Sequence, residues 1–212
     1  MGKTITCEAI VLQTHDVGEA DRFCILLTRE RGRLAARARG VRKPKSKMGG
    51  SILPLRCITL DLHESNASFL ITAVHESSED HPKTIQPFLY AEQGIELLLK
   101  LLEDDEAIPE IFDTAKEFLK QCSTSSLSPV LPFTIRLLVL LGLFPSPKEG
   151  LLRQKLHNEE SVFLETCMSE TWWRAPPISL QQKQRIHTLC LRLIAQQTPQ
   201  ELHAGLVAAA IG

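Results

Sequence analysis

The pattern of apolar and polar residues changes once along the chain, from short strand-like runs to a helical period. Before residue 78, β-branched or alternating runs predict strands and no long helix. The expected strands are Ile5–Gln13, Phe23–Thr28, Arg33–Gly40, Leu53–Leu62 and Ser68–Val74. Five short strands joined by turns are typical of a small closed barrel, and the five-stranded barrel of this size is the OB-fold.

Turn residues separate these runs. Residues 14–21, which include Asp16 and Gly18, predict a turn between the first two strands. Gly32 suits a positive φ in the next turn. The third run alternates strictly, so one face is expected to hold Leu34, Ala36 and Ala38 and the other Arg33, Ala35, Arg37 and Arg39.

The second part of the chain reads as helical. The polar, proline-containing residues 79–87 predict a linker between an OB-fold domain at 1–78 and a helical domain at 88–212. Together these make an α+β protein, with a five-stranded OB-fold barrel followed by an all-α domain.

Apolar spacing and capping residues predict the individual helices. They are expected over Phe88–Leu102, from Pro109 to about Gln121, from about Ser128 to Leu141, after a capping box at Ser179–Gln182, and after a second box at Thr198–Glu201. The stretch 172–177 (WWRAPP) reads as an irregular segment inside the helical part.

Charge is concentrated in residues 28–47. This stretch holds nine of the 24 lysines and arginines against a single acid, Glu30. The whole chain is formally −1, so the remainder is strongly acidic. Such polarisation points to a polyanionic partner, nucleic acid first and an acidic membrane second. Charge alone leaves open a basic loop that is merely solvated.

Other features limit the possible function classes. The six cysteines are scattered without a CxxC motif, which favours buried reduced thiols. The most apolar window, residues 130–144, contains Arg136 and is too short to span a bilayer. No N-terminal signal segment is expected. His63-Glu64 and His75-Glu76 lack the second histidine of an HExxH motif. We therefore predict a cytoplasmic, non-enzymatic binding protein without metal or cofactor.

Several motifs within residues 9–55 agree in order and spacing with one family. They include residues 18–22 (GEADR), Ala38-Arg39-Gly40 and residues 42–46 (RKPKS). This stretch resembles the N-terminal domain of the bacterial recombination mediator RecO. Residues 131–142 (LPFTIRLLVLLG) are similar to a helix of the same family. Many members carry a four-cysteine zinc module after that helix; only Cys167 and Cys190 occur here, so the module is absent.

The resemblance implies an OB-fold, a helical domain and a role in DNA repair and recombination. RecO-like proteins bind single- and double-stranded DNA and anneal complementary strands. They bind the acidic C-terminal tail of single-stranded DNA-binding protein, pair with RecR and help to load RecA, without nucleotide hydrolysis. A nucleoid-associated protein is expected. The alternative is a non-catalytic module whose basic stretch meets an acidic protein or ribosomal RNA.

The basic stretch is the expected DNA site. The residues predicted to contact DNA are Arg33, Arg37, Arg39, Arg42, Lys43, Lys45 and Lys47. Outward residues of a strand lie about 7 Å apart, close to the spacing of successive phosphates. Guanidinium and ammonium groups then predict backbone-led, salt-dependent binding. Phe23 and Phe69 lie in apolar runs and are expected in the core, so base stacking should contribute little.

A second candidate site lies in the helical part. Arg136 borders a helical stripe that includes Phe133 and Leu140. A cation beside an apolar groove suits a C-terminal carboxylate, while the groove takes an aromatic side chain. We expect these three residues to bind the acidic partner tail. The alternative is an arginine that extends to solvent along the helix.

Overall fold

A computed structural model describes residues 2–65, 68–77, 82–125, 127–145 and 158–197. The strands are β1 (Lys3–Val17), β2 (Asp21–Thr28), β3 (Gly32–Ala38), β4 (Cys57–Ser65) and β5 (Ser68–Ser77). The helices in these ranges are α1 (Ile85–Leu101), α2 (Pro109–Thr124), α3 (Val130–Leu140), α4 (Asn158–Met168) and α5 (Leu180–Gln197), with a 3-10 turn at Trp172–Arg174. The expected α+β class is confirmed.

The five strands close into a barrel with the order β1-β2-β3-β5-β4. β1 closes it because its first part, Lys3 to Ile10, pairs with β4 and its second part, Ala9 to Val17, pairs with β2. All neighbouring strands are antiparallel except β3 and β5, which run parallel. This arrangement is the predicted OB-fold.

Alternate residues of each strand fill the barrel interior. β3 alternates as predicted, with Leu34, Ala36 and Ala38 inward and Arg33, Ala35 and Arg37 outward. Other inward residues include Val11, Cys24, Leu26, Leu60 and Leu62. The outer face of β2 and β3 therefore carries the first part of the basic stretch.

The first hairpin is longer than the sequence predicted. Residues 14–17, expected in a turn, continue β1 and pair with residues 21–24 of β2. The turn itself is only residues 18–20, and Gly18 enters it with a φ of 57°. A register shift between Val11 and Gln13 changes the pairing there. Cross-strand pairing with β2 outweighs the polar character of residues 14–17, which are too few to read by periodicity alone.

β4 begins at Cys57 rather than at the predicted Leu53. Leu55 takes a positive φ of 69°, which is incompatible with a regular strand. The segment is nevertheless fastened to the barrel, because the Leu55 N–H donates to the Val11 carbonyl (2.9 Å) and the Val11 N–H donates to the Arg56 carbonyl (2.9 Å). The prediction extended the strand to Leu53 because residues 53–56 are mostly apolar, and their sequence does not indicate the turn at Leu55.

The chain divides into two compact units. The first, the barrel unit, comprises Met1–His81 and Leu102–Lys116; the second, the helical unit, comprises Pro82–Leu101 and Glu117–Gly212. The segment 102–116 thus groups with the barrel. The predicted linker 79–87 falls partly outside the described residues, and α1 begins within it at Ile85. The domain limits 1–78 and 88–212 stay a prediction.

Aromatic packing organises the helical unit. Phe133 stacks on Phe118, with ring centroids 4.1 Å apart, and lies 6.0 Å from Trp172. The capping box before α5 is present: the Gln182 N–H donates to Ser179 Oγ (3.3 Å) and the Ser179 N–H donates to Gln182 Oε1 (2.7 Å). The second box, at 198–201, lies outside the described residues. Across the described helices, none has the length and apolarity needed to cross a membrane.

Helix α4 was not predicted. It is short and charged, but Phe163, Leu164 and Cys167 are buried on one side at helical spacing. Two acids in its first turn, Glu159 and Glu160, favour a helix N-terminus. The spacing of the three buried residues and the two acids at the start could have predicted this helix.

Candidate nucleic-acid interface

Residues 102–116 cover one end of the outer β1–β2–β3 face. Ile10 and Leu27 point outward by strand alternation, yet their exposed fractions are 0% and 2%. Ion pairs from the segment surround them: Lys116 binds Glu8, and Arg29 donates Nε and Nη2 to the two carboxylate oxygens of Asp113 (3.1 and 3.0 Å). This end of the face is therefore closed to a ligand.

The covering segment also engages the start of β3. Arg33 Nε donates to Asp104 Oδ1 (2.6 Å), and the Asp105 N–H donates to the Arg33 carbonyl (2.8 Å). Only 18% of the Arg33 side chain is exposed. Gly32 has a φ of 67°, and any Cβ there would overlap the Glu106 carbonyl. Arg33, which we predicted to contact DNA, is thus mostly buried and ion-paired with Asp104.

The first residue of β2 and the turn before it bind the first residues of the basic loop, which we define as residues 39–47. Asp21 Oδ1 accepts the Gly40 N–H (2.7 Å), and Asp21 Oδ2 accepts from Arg37 Nη2 (2.7 Å) and Nε (2.9 Å). The Gly40 hydrogen bond and then Arg37 lower the pKa of Asp21. The Arg42 N–H donates to the Ala20 carbonyl (2.9 Å). Asp21 therefore fixes both a backbone turn and an arginine.

A second carboxylate completes this clamp. Asp16 accepts from Arg22 Nε (3.1 Å) and pairs with Arg42 Nε (3.3 Å). Arg22 Nη1 donates to the Ile52 carbonyl (2.8 Å), just beyond the loop. Asp16 and the residues of the GEADR motif therefore hold the start of the basic loop, and Arg22 of the motif also binds the segment that follows it. Sequence reasoning noted this motif but missed its role, since the hydrogen bonds join residues up to 30 positions apart.

The basic loop is built from consecutive turns. Gly40 has a φ of 62°, the Lys43 N–H donates to the Gly40 carbonyl (3.2 Å), and the Ser46 N–H donates to the Lys43 carbonyl (2.9 Å). Val41 and Ile52 are buried and anchor its ends in the barrel core. A fixed backbone therefore presents the basic side chains.

The seven predicted DNA contacts fall into two groups. Arg33, Arg37 and Arg42 are ion-paired with aspartates. The other four are exposed and have no hydrogen-bonded or ion-paired side-chain partner in the described part of the chain: Arg39, Lys43, Lys45 and Lys47. Cations without an internal partner are the ones that a phosphate can engage without first displacing a carboxylate.

One expectation about aromatic residues is wrong. Phe23 was expected in the core, but it points outward from β2 and is 37% exposed. Phe69 packs against the barrel core as expected, and the Arg31 guanidinium lies 5.4 Å from its ring centroid. The prediction failed for Phe23 because residues 23–27 are all apolar, so the sequence shows no alternation between inward and outward residues.

The expected tail site in the helical unit needs a similar correction. Phe133 is fully buried between Phe118 and Trp172, so its ring cannot line a surface groove. Arg136 donates Nη1 to the Met168 carbonyl. Leu140 is half-buried. Binding of a partner tail by Arg136 and Leu140 stays a prediction.

A cavity of about 110 Å³ lies in the same unit, beside the 3-10 turn. Apolar residues line most of it, among them Leu131, Pro132, Phe163 and Trp173, and Lys183 is the single charged residue among the described residues that line it. The irregular segment 172–177 thus forms one wall of the cavity. Within the described ranges, no three histidine, cysteine or acidic side chains are grouped to hold a metal ion.

An OB-fold barrel with a clamped cationic loop is an architecture that many nucleic-acid-binding domains use. Residues 1–78 match the family described as "Recombination protein O N terminal". The chain is 32% identical over 146 residues to the DNA repair protein RecO of Myxococcus xanthus, covering 65% of this chain and 59% of that protein. It is 31% identical over 147 residues to the DNA repair protein RecO of Bacillus subtilis, covering 66% and 56% respectively.

A shorter match has a higher identity. The DNA repair protein RecO of a Nocardioides strain is 49% identical over 65 residues, which cover 31% of this chain and 27% of that protein. The chain is therefore similar to RecO proteins, and its residues 1–78 match the N-terminal domain of that family. It spans less than two thirds of the length of these curated relatives.

Proposed function

We propose that the chain is a non-catalytic DNA-repair mediator that binds DNA through the basic loop and anneals complementary strands. The supporting observation is the set of four unpaired cations, Arg39, Lys43, Lys45 and Lys47, on a loop that two aspartates hold in place. Cations that neutralise phosphates on two strands lower the repulsion between them without reading bases. DNA as the partner would place the protein with the bacterial nucleoid in the cytoplasm.

A matched pair of variants tests this proposal. Lys43→Ala/Lys45→Ala removes two unpaired charges, whereas Arg29→Ala/Arg31→Ala removes two ion-paired charges from the same stretch. Affinity for a single-stranded oligonucleotide is measured at several salt concentrations. The lysine variant should lower the magnitude of the log–log salt slope by about 1.4, since each phosphate contact on a single strand contributes about 0.7. The arginine variant should leave the slope nearly unchanged.

Annealing is measured on the same proteins with complementary fluorescent oligonucleotides. The lysine variant should anneal more slowly than the wild type, and the arginine variant should match the wild type. Equal losses in both variants would mean that only net charge matters, which would contradict a local site. If the wild type binds an acidic protein or ribosomal RNA but no DNA, the alternative function is correct.

We further propose that the helical unit handles protein partners, in line with the family resemblance. These are the acidic tail of single-stranded DNA-binding protein, RecR and, indirectly, RecA. The cavity beside Trp173 and Lys183 supports a tail site, because an apolar wall with a cation suits a C-terminal aromatic residue and its carboxylate.

Tail binding can be tested by the anisotropy of a labelled acidic peptide that ends in phenylalanine. Lys183→Ala should weaken binding if the cavity is the site, and Arg136→Ala should weaken it if the tail binds beside Arg136 and Leu140. DNA affinity should be unchanged in both variants. RecA loading in the presence of RecR, on strands coated with single-stranded DNA-binding protein, tests the mediator role itself.

A further inference from the structure

We propose that Phe23 is a base-stacking platform that gives the DNA interface a preference for unpaired bases. This inference rests on the proposed DNA-binding function and adds to it a residue that distinguishes single strands from duplex. The barrel unit contains three aromatic residues, Phe23, Phe69 and Phe112. Phe112 is fully buried and Phe69 is partly buried against the core, so Phe23 is the most exposed of the three.

The ring of Phe23 is unoccupied within the protein. It takes part in no ring pair and no cation–π contact with any described residue, whereas Phe69 already carries Arg31. The exposed part of this ring is a flat aromatic surface on β2 that a planar ligand can cover. A nucleobase is a planar ligand whose π face can stack on such a ring.

The surroundings of Phe23 suit a nucleic-acid strand. The strand register places His15 on one side of it and Arg37 on the other, with Leu70 of β5 beyond Arg37. Directly paired residues on one sheet face have Cβ atoms roughly 5 Å apart. Asp21 holds the Arg37 guanidinium, so the guanidinium does not cover the ring. Small Ala35, also exposed on β3, leaves the face flat nearby.

The unpaired cations lie next to this face. Arg39 follows β3 directly and faces away from the core, and the lysines of the basic loop come after it. A strand whose phosphates meet the loop can therefore bring a base to Phe23. Bases in a duplex are already stacked and paired, so only an unpaired or extruded base can use the ring. Phe23 should then add affinity for single strands alone.

The experiment compares Phe23→Ala with the wild type on three probes of equal length: an oligothymidylate strand, an abasic strand with the same phosphates, and a duplex. Stacking on an aromatic side chain is worth about tenfold or more in affinity per base. Phe23→Ala should therefore weaken oligothymidylate binding by about tenfold and leave the abasic strand and duplex unchanged. Phe23→Tyr should retain wild-type affinity for oligothymidylate because the ring is kept.

Two further variants separate stacking from other effects. Phe88→Ala removes a phenylalanine that is 46% exposed in the helical unit, and it should bind all three probes like the wild type. Phe23→Leu keeps an apolar side chain without a π face, so it should resemble Phe23→Ala in binding while unfolding like the wild type. If Phe23→Ala does not fold, Phe23→Leu is the variant that tests the stacking proposal.

The outcomes distinguish the two proposals. Equal loss of all three probes in Phe23→Leu would indicate a structural role and overturn the stacking platform. Unchanged oligothymidylate binding in Phe23→Leu, together with loss of binding in Lys43→Ala/Lys45→Ala, would overturn the stacking platform alone. No DNA binding by the wild type would overturn the proposed function and this inference with it.

Discussion

Gly32 joins β2 to β3 and lies against residues 102–116, and its replacement by alanine tests that contact. Two separate effects are expected. A φ of 67° costs a residue with a Cβ about 1–2 kcal/mol. The new Cβ also overlaps the Glu106 carbonyl, so this backbone must move. The shift would strain the hydrogen bond from the Asp105 N–H to the Arg33 carbonyl.

Other glycines of the barrel unit separate these effects. Gly18 has a φ of 57° but no atom within 4 Å of its Cβ position, so Gly18→Ala measures the backbone conformation alone. Gly50 has neither a positive φ nor a close neighbour. Gly50→Ala should be neutral or stabilising by about 0.4–1 kcal/mol, because alanine reduces the entropy of the unfolded chain. Gly18→Ala should destabilise by about 1 kcal/mol and Gly32→Ala by about 3 kcal/mol or more.

The assay must report on the barrel. Both tryptophans, Trp172 and Trp173, lie in the helical unit, so their fluorescence follows that unit instead. Urea unfolding monitored by hydrogen exchange of the β2 and β3 amides gives the free energy of unfolding where it is needed. Equal destabilisation by Gly18→Ala and Gly32→Ala would refute the close approach of residues 102–116 to the β2–β3 turn.

Three further outcomes are expected. Phe133→Ala should lower the free energy of unfolding of the helical unit by about 3–5 kcal/mol, seen by tryptophan fluorescence, and a loss below about 1 kcal/mol would contradict its place in the core. Burial raises the pKa of Cys122 and Cys190 to about 12, so both should resist a thiol reagent at about pH 8 until the protein is unfolded, and rapid labelling of the native protein would contradict this. Burial lowers the pKa of His187, so the unfolded state takes up its proton first and stability falls as the pH drops below about 6.5. His187→Gln should lose less stability than the wild type between about pH 7 and pH 5, and an identical loss would exclude His187 as a source of this dependence.

Local sequence patterns predicted the barrel well because the alternation of residues within a strand indicates which side chains point inward and which point outward. The alternation of β3 placed Leu34 and Ala36 inward, and Gly32 was expected at a positive φ. The same reasoning failed where contacts are distant in sequence. Arg33 pairs with Asp104, 71 residues away, so its engagement by an acid could not be read from the basic stretch.

Phe23 and Leu27 illustrate the same limit on β2. Both point outward, yet one is exposed and the other is buried. The difference comes from residues 102–116, which cover one end of the outer face and not the other. Since every residue from Phe23 to Leu27 is apolar, the sequence of the strand does not contain this distinction. The position of the open surface depends on a segment elsewhere in the chain.

The cover supplied by residues 102–116 has a consequence for how this protein can be divided. The family match ends at residue 78, but the barrel unit takes in a segment that begins 24 residues later. A truncated barrel that stops at the family limit would expose Ile10 and Leu27 and leave Arg29 and Arg33 without their aspartates. Such a fragment is expected to aggregate and to carry extra cations that bind DNA without specificity. The stretch that matches the family, residues 1–78, is thus shorter than the barrel unit, which also includes residues 102–116.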